Sequence, residues 1–560
     1  MATTMGTGDI IGRCNQLQKD WIERNTKFKE WYELIEMVDN LKQKNMESFV
    51  GNDPRASYNL MSSMLNQTIP HRIDPSKLSQ EHIKPAGELA NLYSTAWEDI
   101  QYKFRQRGRY WQTTFIGLLL ATGWYSVFSI VADDGTQCVA EILNPATVYP
   151  DWDDVLFECA HIYSISGRKA MRLAYRNGWS TDKIRANSTV TVFDYWHLND
   201  AGQVMNAIVL DKELVKSDQL QPRFNRIPIF TSPCGGLPDM GEITQDKTKW
   251  RREIGMSALA ANENIYRYWN KWWSFSMQLL RDTAQARTYE KTASSSKIVK
   301  PEEWFKRGAH FKLGPNDDLG FIQPPAIPIE LRSAQLDMEA MMQRGGPSWA
   351  MFGNIQQQMT AYVMSQIASS ANQTTQAYHH GIQDCITDID NFWLYLIREH
   401  KYKPYGLGLP SGLPPEAKIT ADYEMRIPGD LVQRATTARM LNPDFTLSNT
   451  MIMQELFPEI KNPMEEQARV RADQAQKHPV RAAISLIESF REEAELLSKA
   501  RDTIGSNLYS KAADLIEASI TNAPQPQNGT AGLPPSGPSG AGAPAPGPGV
   551  VPPPGSEQMM

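Results

Sequence analysis

A chain of 560 residues is too long for one hydrophobic core and should form several domains, and its 41% hydrophobic and 21% charged content is that of a protein that folds. Its 57 Lys and Arg against 63 Asp and Glu leave a net charge of −6, which excludes a strong, general DNA binder, because such affinity comes from many basic contacts to phosphate. Five scattered cysteines (Cys14, Cys138, Cys159, Cys234, Cys385) contain no CxxC pair, which argues against a disulfide framework or a zinc site and for buried thiols in a reducing compartment.

In chain order, Trp21, Phe28, Trp31, Ile35, Val38 and Leu41 predict a helix over Asp9 to Phe49, stopped by Gly51-Asn52-Asp53-Pro54. Further helices are expected over Ile83 to Arg107 and Arg109 to Thr122. The longest apolar run, near Phe115 to Ala121, is far too short to cross a bilayer, and no apolar signal segment opens the chain, so no membrane partner is expected. The texture then changes. Trp124 to Ala132 and Thr136 to Leu143 flank Asp133-Asp134-Gly135, while Val190 to Leu198 and Val204 to Leu210 flank Asn199-Asp200-Ala201-Gly202; both read as β-hairpins. Asp151, Asp153 and Asp154 sit in a loop-like stretch, where turn-forming and divalent-metal roles are both open. Asn225 to Pro238 reads as a strand and connector.

From Ile254 to about Arg281 the chain has no proline. Tyr266, Trp269, Trp273, Met277 and Leu280 recur at helical steps, with Trp272, Phe275 and Leu279 as a second stripe beside them. One buried face cannot absorb so many rings, so the helix is expected to have neighbours on two sides. Between Thr288 and Pro328 short runs (Ser296 to Val299, His310 to Leu313, Leu319 to Ile322) alternate with turn residues, and Pro301-Glu302-Glu303 opens a short helix. Lys297, Lys300, Lys306, Arg307 and Lys312 make this module basic, which fits a solvated face and phosphate contact alike. A helix returns over Ile329 to Arg344 and breaks at Gly345-Gly346-Pro347. After Ser348-Trp349-Ala350-Met351-Phe352-Gly353 a proline-free stretch from Asn354 to Lys403 keeps helical spacing, with Gly381 the expected bend.

Past a Gly- and Pro-rich loop, Ile419 to Ile427 reads as a strand. Helices resume near Asp430 and again over Pro463 to Thr521, the latter with mixed charge on exposed faces. From Ala523 the composition is almost wholly Pro, Gly, Ala and Ser, which cannot bury a core.

Chemistry is hard to place on this chain. There is no GxxxxGK[ST], so the phosphate cradle of a packaging ATPase is missing, and neither HExxH nor GxSxG occurs. His379 and His380 are adjacent and point in different directions, a poor chelate, and Asp384 and Asp388 are a like-charged i, i+4 pair. No cofactor, no metal and no enzymatic activity are expected.

The order long helix, small module, return helix, glycine break and very long helix resembles the portal proteins of tailed bacteriophages, over most of the chain from about Trp21 to Ala518. The likeness rests on element order, because that family has no short diagnostic motif. It implies a mainly helical α+β subunit assembled into a ring. The parts implied are an N-terminal wing (1–253), stem helix 1 (254–287), a clip (288–328), stem helix 2 (329–344), a tunnel loop (345–358), a C-terminal wing with the long helix (359–460), a helical crown (461–522) and a disordered tail (523–560). Spacing alone reads Gly345-Gly346-Pro347 with Trp349 and Phe352 as a turn with a buried staple. The resemblance makes Arg344, Gly345, Gly346, Pro347, Ser348, Trp349, Met351, Phe352 and Gly353 the tunnel loop, its glycines freeing it to move. It makes Lys297, Lys300, Lys306, Arg307 and Lys312 clip residues for docking or DNA, and Tyr266, Trp269, Trp272, Trp273 and Leu280 stem packing, so that Trp273→Ala would weaken assembly.

The implied role is a ring of about twelve copies at one capsid vertex, assembled in the host cytoplasm and residing in the virion. Double-stranded DNA would pass through its channel, and the terminase large subunit, a head-tail adaptor or neck protein and the major capsid protein would be its partners. The other readings are a neck or DNA-ejection component of the virion, and a nucleic-acid-processing enzyme with a dispersed metal site.

Overall fold

The computed structural model describes residues 5–43, 46–67, 69, 71–73, 82–179, 184–236, 255–284, 288–292, 299–300, 302–303, 306, 308, 310–322, 330–347, 361–421, 452–453, 457, 463–477 and 479–521. By compactness the chain falls into two units, 1–462 and 463–560. Both helices and sheets are present, so the architecture is α+β, as expected.

The first unit opens with α1 (Thr7–Asp20) and α2 (Ile22–Glu36). The single helix expected here is broken at Trp21, whose Nε1 donates to the Pro150 carbonyl at 2.8 Å, and it ends at Met37 in the left-handed conformation (φ 57°). A ring anchored in the neighbouring sheet thus overrides the helical periodicity. After α3 (Asp53–Leu65), β1 (His71–Ile73), α4 (Ile83–Gln106) and α5 (Trp111–Thr122) come the strands β2 (Trp124–Val131) and β3 (Cys138–Ile142), the first expected hairpin. Strands β4 (Val148–Trp152) and β5 (Leu156–Ser166), helix α6 (Gly167–Asn177), and strands β6 (Thr189–Leu198), β7 (Val204–Leu210), β8 (Glu213–Leu220) and β9 (Ile229–Pro233) follow. β6 and β7 are the second expected hairpin, inside an antiparallel five-stranded sheet of order β4-β5-β6-β7-β8, while β2 lies between β3 and β9 in a three-stranded sheet. Asp151 is not in a loop. It belongs to β4, and Arg13 reaches both it and the buried Glu158 of β5, so that Asp151, one of the carboxylates that sequence alone left open to metal, is paired with a guanidinium.

Helices α7 (Glu263–Ala284) and α8 (Glu330–Arg344) are separated by the two-stranded sheet of β10 (Thr288–Lys291) and β11 (Asp318–Phe321). Helix α9 (Ala361–His400) then leads to β12 (Ile419–Ala421), which pairs with the distant β1. His310–Leu313 is not a strand, since β10 finds its partner in Asp318–Phe321 instead. Helix α9 runs through Gly381 unbroken, and that glycine serves packing, because a Cβ there would lie 2.3 Å from Cys234 Sγ. The second unit holds α10 (Pro463–Lys477), α11 (Pro479–Lys499) and α12 (Thr503–Thr521), with α11 and α12 packed on each other. The tail from 523 and the helix expected near Asp430 lie outside the described residues.

Two large cores and one small cluster (Ala170, Val190, Val192, Leu210) hold the first unit. One large core gathers α4, α5, α9, β2 and β9 around Trp111, Phe115 and Trp393; the other seats α1 and α2, through Trp21, Phe28 and Trp31, on the five-stranded sheet and on Trp124 of β2. Polar groups enter both. Asp390, fully buried on α9, accepts from His71 Nδ1 at 2.5 Å and Trp97 Nε1 at 2.9 Å, while Tyr93 donates to its carbonyl at 3.0 Å. Arg24 is sandwiched by Trp21 and Trp124 and donates to the carbonyls of Pro145 and Val148. Burial lowers its pKa to about 9. Among the described residues no helix is long and apolar enough to cross a membrane.

Candidate functional site: the paired helices and their module

The root of α7 is fixed by close backbone packing. Gly123, the left-handed cap of α5 (φ 66°), lies against Gly255, where a Cβ would sit 1.7 Å from the Gly123 carbonyl oxygen. Without side chains in between, Gly123 O accepts from Cys234 N (2.7 Å), Cys234 O from Met256 N (2.9 Å) and Leu120 O from Ala258 N (2.9 Å). These bonds hold Gly255 to Ala258 against the core without helical structure, so the expected stem helix starts at Glu263 and not at 254, after a 3-10 turn over Ala260–Asn262.

From there α7 is bound on one side by the chain that precedes α3. Glu263 accepts from Trp31 Nε1 (2.8 Å) and pairs with Arg267 (3.0 Å), and Lys27 and Glu30 join this cluster; their mutual hydrogen bond raises the lysine pKa and lowers the glutamate's. Farther along, Asn270 Oδ1 accepts from Gly51 N (2.9 Å), Ser274 Oγ from Phe49 N (2.9 Å) and Gln278 Oε1 from Glu47 N (3.0 Å), and Arg281 pairs with Glu47 (2.5 Å). Four residues of helix rise about 6 Å and two extended residues about 6.6 Å, so residues at i, i+4 and i+8 of α7 meet every second amide of the strap.

The strap also takes part of the aromatic surface. Trp273 packs on Phe49 with ring centroids 5.7 Å apart, and Trp269, Trp272 and Trp273 touch one another at 5.0–6.0 Å. Tyr266 and Trp269 are buried, Trp272 and Trp273 are half-buried, and Leu280 is exposed. Burial pushes up the Tyr266 pKa, keeping it a neutral hydrogen-bonding phenol. Trp273 is thus engaged inside its own subunit. The second stripe behaves differently. Phe275 is 71% exposed and Tyr268, two turns earlier, 63%, with Trp272 half-covered between them and Leu279 half-covered just beyond; on α8, Leu336 and Met341 are exposed too.

In the module, Tyr289 of β10 donates to Asp318 of β11 (3.1 Å), which raises the tyrosine pKa, and Val299 N donates to Glu290 (3.3 Å). Lys300, Lys306 and Lys312 are exposed; Lys297 and Arg307 lie outside the described residues. Of the tunnel-loop set, Arg344 ends α8 with its side chain exposed, Gly345 and Gly346 are half-buried and Pro347 is buried, whereas Ser348, Trp349, Met351, Phe352 and Gly353 lie outside the described residues. Burial raises the Cys14 and Cys234 thiol pKa values to about 12, so neither is a ready nucleophile at neutral pH. The strap and the Asp390 node escaped sequence reasoning, although each left a trace: Asn270, Ser274 and Gln278 at four-residue steps, and an aspartate within the apolar stripe of Ile386 and Trp393.

No protein-family model matches the chain, and no curated protein matches it. Solved structures with similar chains include the neck of an empty GTA particle computed with C6 symmetry (TM-score 0.38, 11% identity, covering 72% of this chain and 90% of that one). Others are the neck of a native GTA particle computed with C12 symmetry (TM-score 0.36, 11% identity, 73% and 90%) and the virion of a native gene transfer agent particle (TM-score 0.36, 12% identity, 72% and 89%).

Proposed function

We propose that this chain is a ring-forming component of a tailed-phage-like particle, and within that class the portal subunit. The observation that carries the proposal is the stripe on α7 where Tyr268 and Phe275 are exposed and Trp272 and Leu279 only half-covered, beside a partner helix, α8, that also leaves Leu336 and Met341 open. Rings of this size at successive helical turns are costly to leave in water, and a second copy of the same helix pair offers the matching apolar surface. Repeated around an axis, the contact closes a ring and sets the helix pairs around a channel.

In this reading α7 and α8 form the channel stem, and the β10–β11 module with Lys300, Lys306 and Lys312 is the docking face for the terminase large subunit and later for an adaptor or neck protein. The sheets and α9 form the wing that meets the major capsid protein. The work is conduction and docking of double-stranded DNA, without covalent chemistry. A neck or DNA-ejection component has no need of a folded module between paired helices, and the presence of one supports the portal reading.

Negative-stain electron microscopy of the purified chain tests it. Rings of about twelve subunits with a central hole near the width of duplex DNA are expected. Compact monomers at high concentration, with no ring, would overturn it.

A further inference from the structure

The glycine pair after α8 invites the reading of a hinge, but its surroundings point elsewhere. Asn262, 1% exposed, sits in the turn just before α7, and its Nδ2 donates to the Met342 carbonyl at 2.8 Å and lies 3.4 Å from the Tyr266 hydroxyl. Met342 is in the last turn of α8, where carbonyls lack partners within the helix. The neighbouring Met341 carbonyl accepts from Gly345 N at 3.2 Å. Asn262 therefore caps another helix across a gap of 80 residues in sequence. Its amide orientation is set by these two acceptors, because turning it over would place its oxygen against the Met342 carbonyl.

That orientation aims Oδ1 at Gly345. A Cβ on residue 345 would lie 2.1 Å from Asn262 Oδ1, 2.7 Å from its Cγ and 3.1 Å from its Nδ2, so all three nearest atoms belong to this one side chain. Oδ1 itself is buried and has no hydrogen-bond partner among the described residues. Gly345 does not occupy the left-handed region, so its backbone would accept alanine; the space would not. Gly346 also faces this side chain, less closely, with Asn262 Nδ2 3.3 Å from its Cβ position.

We infer that Asn262 is the positioning residue for the exit of α8, and that residue 345 is glycine to admit the Asn262 side chain and not to supply a hinge. The clamp joins three things: the core-bound segment Gly255–Ala258, the start of α7 and the end of α8. It fixes the two helices at one point, and the chain leaves α8 in a set direction through the buried Pro347. This inference rests on local geometry and does not depend on the portal reading.

Hydrogen exchange read by mass spectrometry on the full-length protein tests it, using wild type, Asn262→Ala, Gly345→Ala and the double variant. Either single change is expected to speed exchange in peptides spanning 341–347 by about tenfold, leaving β5 and β6 peptides unchanged. The double variant should exchange no faster than Asn262→Ala alone, because truncating the asparagine removes the atoms the new Cβ would strike. Recovery of folded protein for the double but not for Gly345→Ala would support the clamp equally. Wild-type exchange in Gly345→Ala, a double variant that shows the product of the two single effects, or failure of both glycine variants to fold would overturn it.

Discussion

Helices α7 and α9 are both long, both carry large apolar residues and both are patterned at 3.6 residues per turn, yet they end in different environments. On the C-terminal half of α9, Ile382, Ile389, Trp393 and Leu396 are each 0% exposed. On α7 burial holds for Tyr266 and Trp269 and then fades, until Phe275 stands 71% exposed. Hydrophobic periodicity announces an apolar face but not what covers it. For α9 the cover is the same chain, folded back through α4, α5 and β2; for α7 the strap from Glu47 to Gly51 covers one side, and the other is the face that the proposed function assigns to a second copy.

Substitutions sharpen this contrast. The largest loss is expected for Trp393→Ala, whose ring stacks on Tyr93 and packs tilted against Trp97. Unfolding by denaturant should show a cost of about 3–5 kcal/mol, and a cost below about 1 kcal/mol would break the claim that α9 is fully served by its own subunit. Asp390→Ala follows at about 3 kcal/mol, because His71 Nδ1 and Trp97 Nε1 lose their common buried acceptor. Calorimetry would detect it, and an unchanged melting temperature would remove the node from the account.

Smaller effects belong to α7. Trp273→Ala should cost about 2 kcal/mol of subunit stability, less than a fully buried ring, through lost contact with Phe49. Denaturant unfolding checks it, and an assembly defect with unchanged subunit stability would contradict this packing of Trp273 on Phe49. Ser274→Ala removes one acceptor from the strap and should cost about 1 kcal/mol, seen as faster amide exchange at Phe49.

Much of the fold was legible because local signals agreed with it. The turns at Asp133-Asp134-Gly135 and Asn199-Asp200-Ala201-Gly202 bounded alternating runs, and β2–β3 and β6–β7 form there. The stripes on α7 and α9 were readable for the same reason. What stayed hidden depends on partners distant in sequence. The break at Trp21 needs the Pro150 carbonyl, the pairing of β1 with β12 spans most of the chain, and the start of α7 at Glu263 is set by backbone packing of Gly255 on Gly123. The candidate site was readable as an aromatic helix, a basic module and a glycine break; which rings turn inward, and that Gly345 is pressed against Asn262, were not, since spacing carries no information about a neighbour so distant in sequence.

The central claim is that the exposed stripe of α7 is a contact between copies. Mass photometry of wild type beside Phe275→Ser tests it most directly, with thermal unfolding of both as the control. The account predicts rings of about twelve copies for wild type and dispersed subunits for the variant, whose own stability stays within about 0.5 kcal/mol of wild type, as for an exposed site. Rings that form equally well with serine at this position would contradict it.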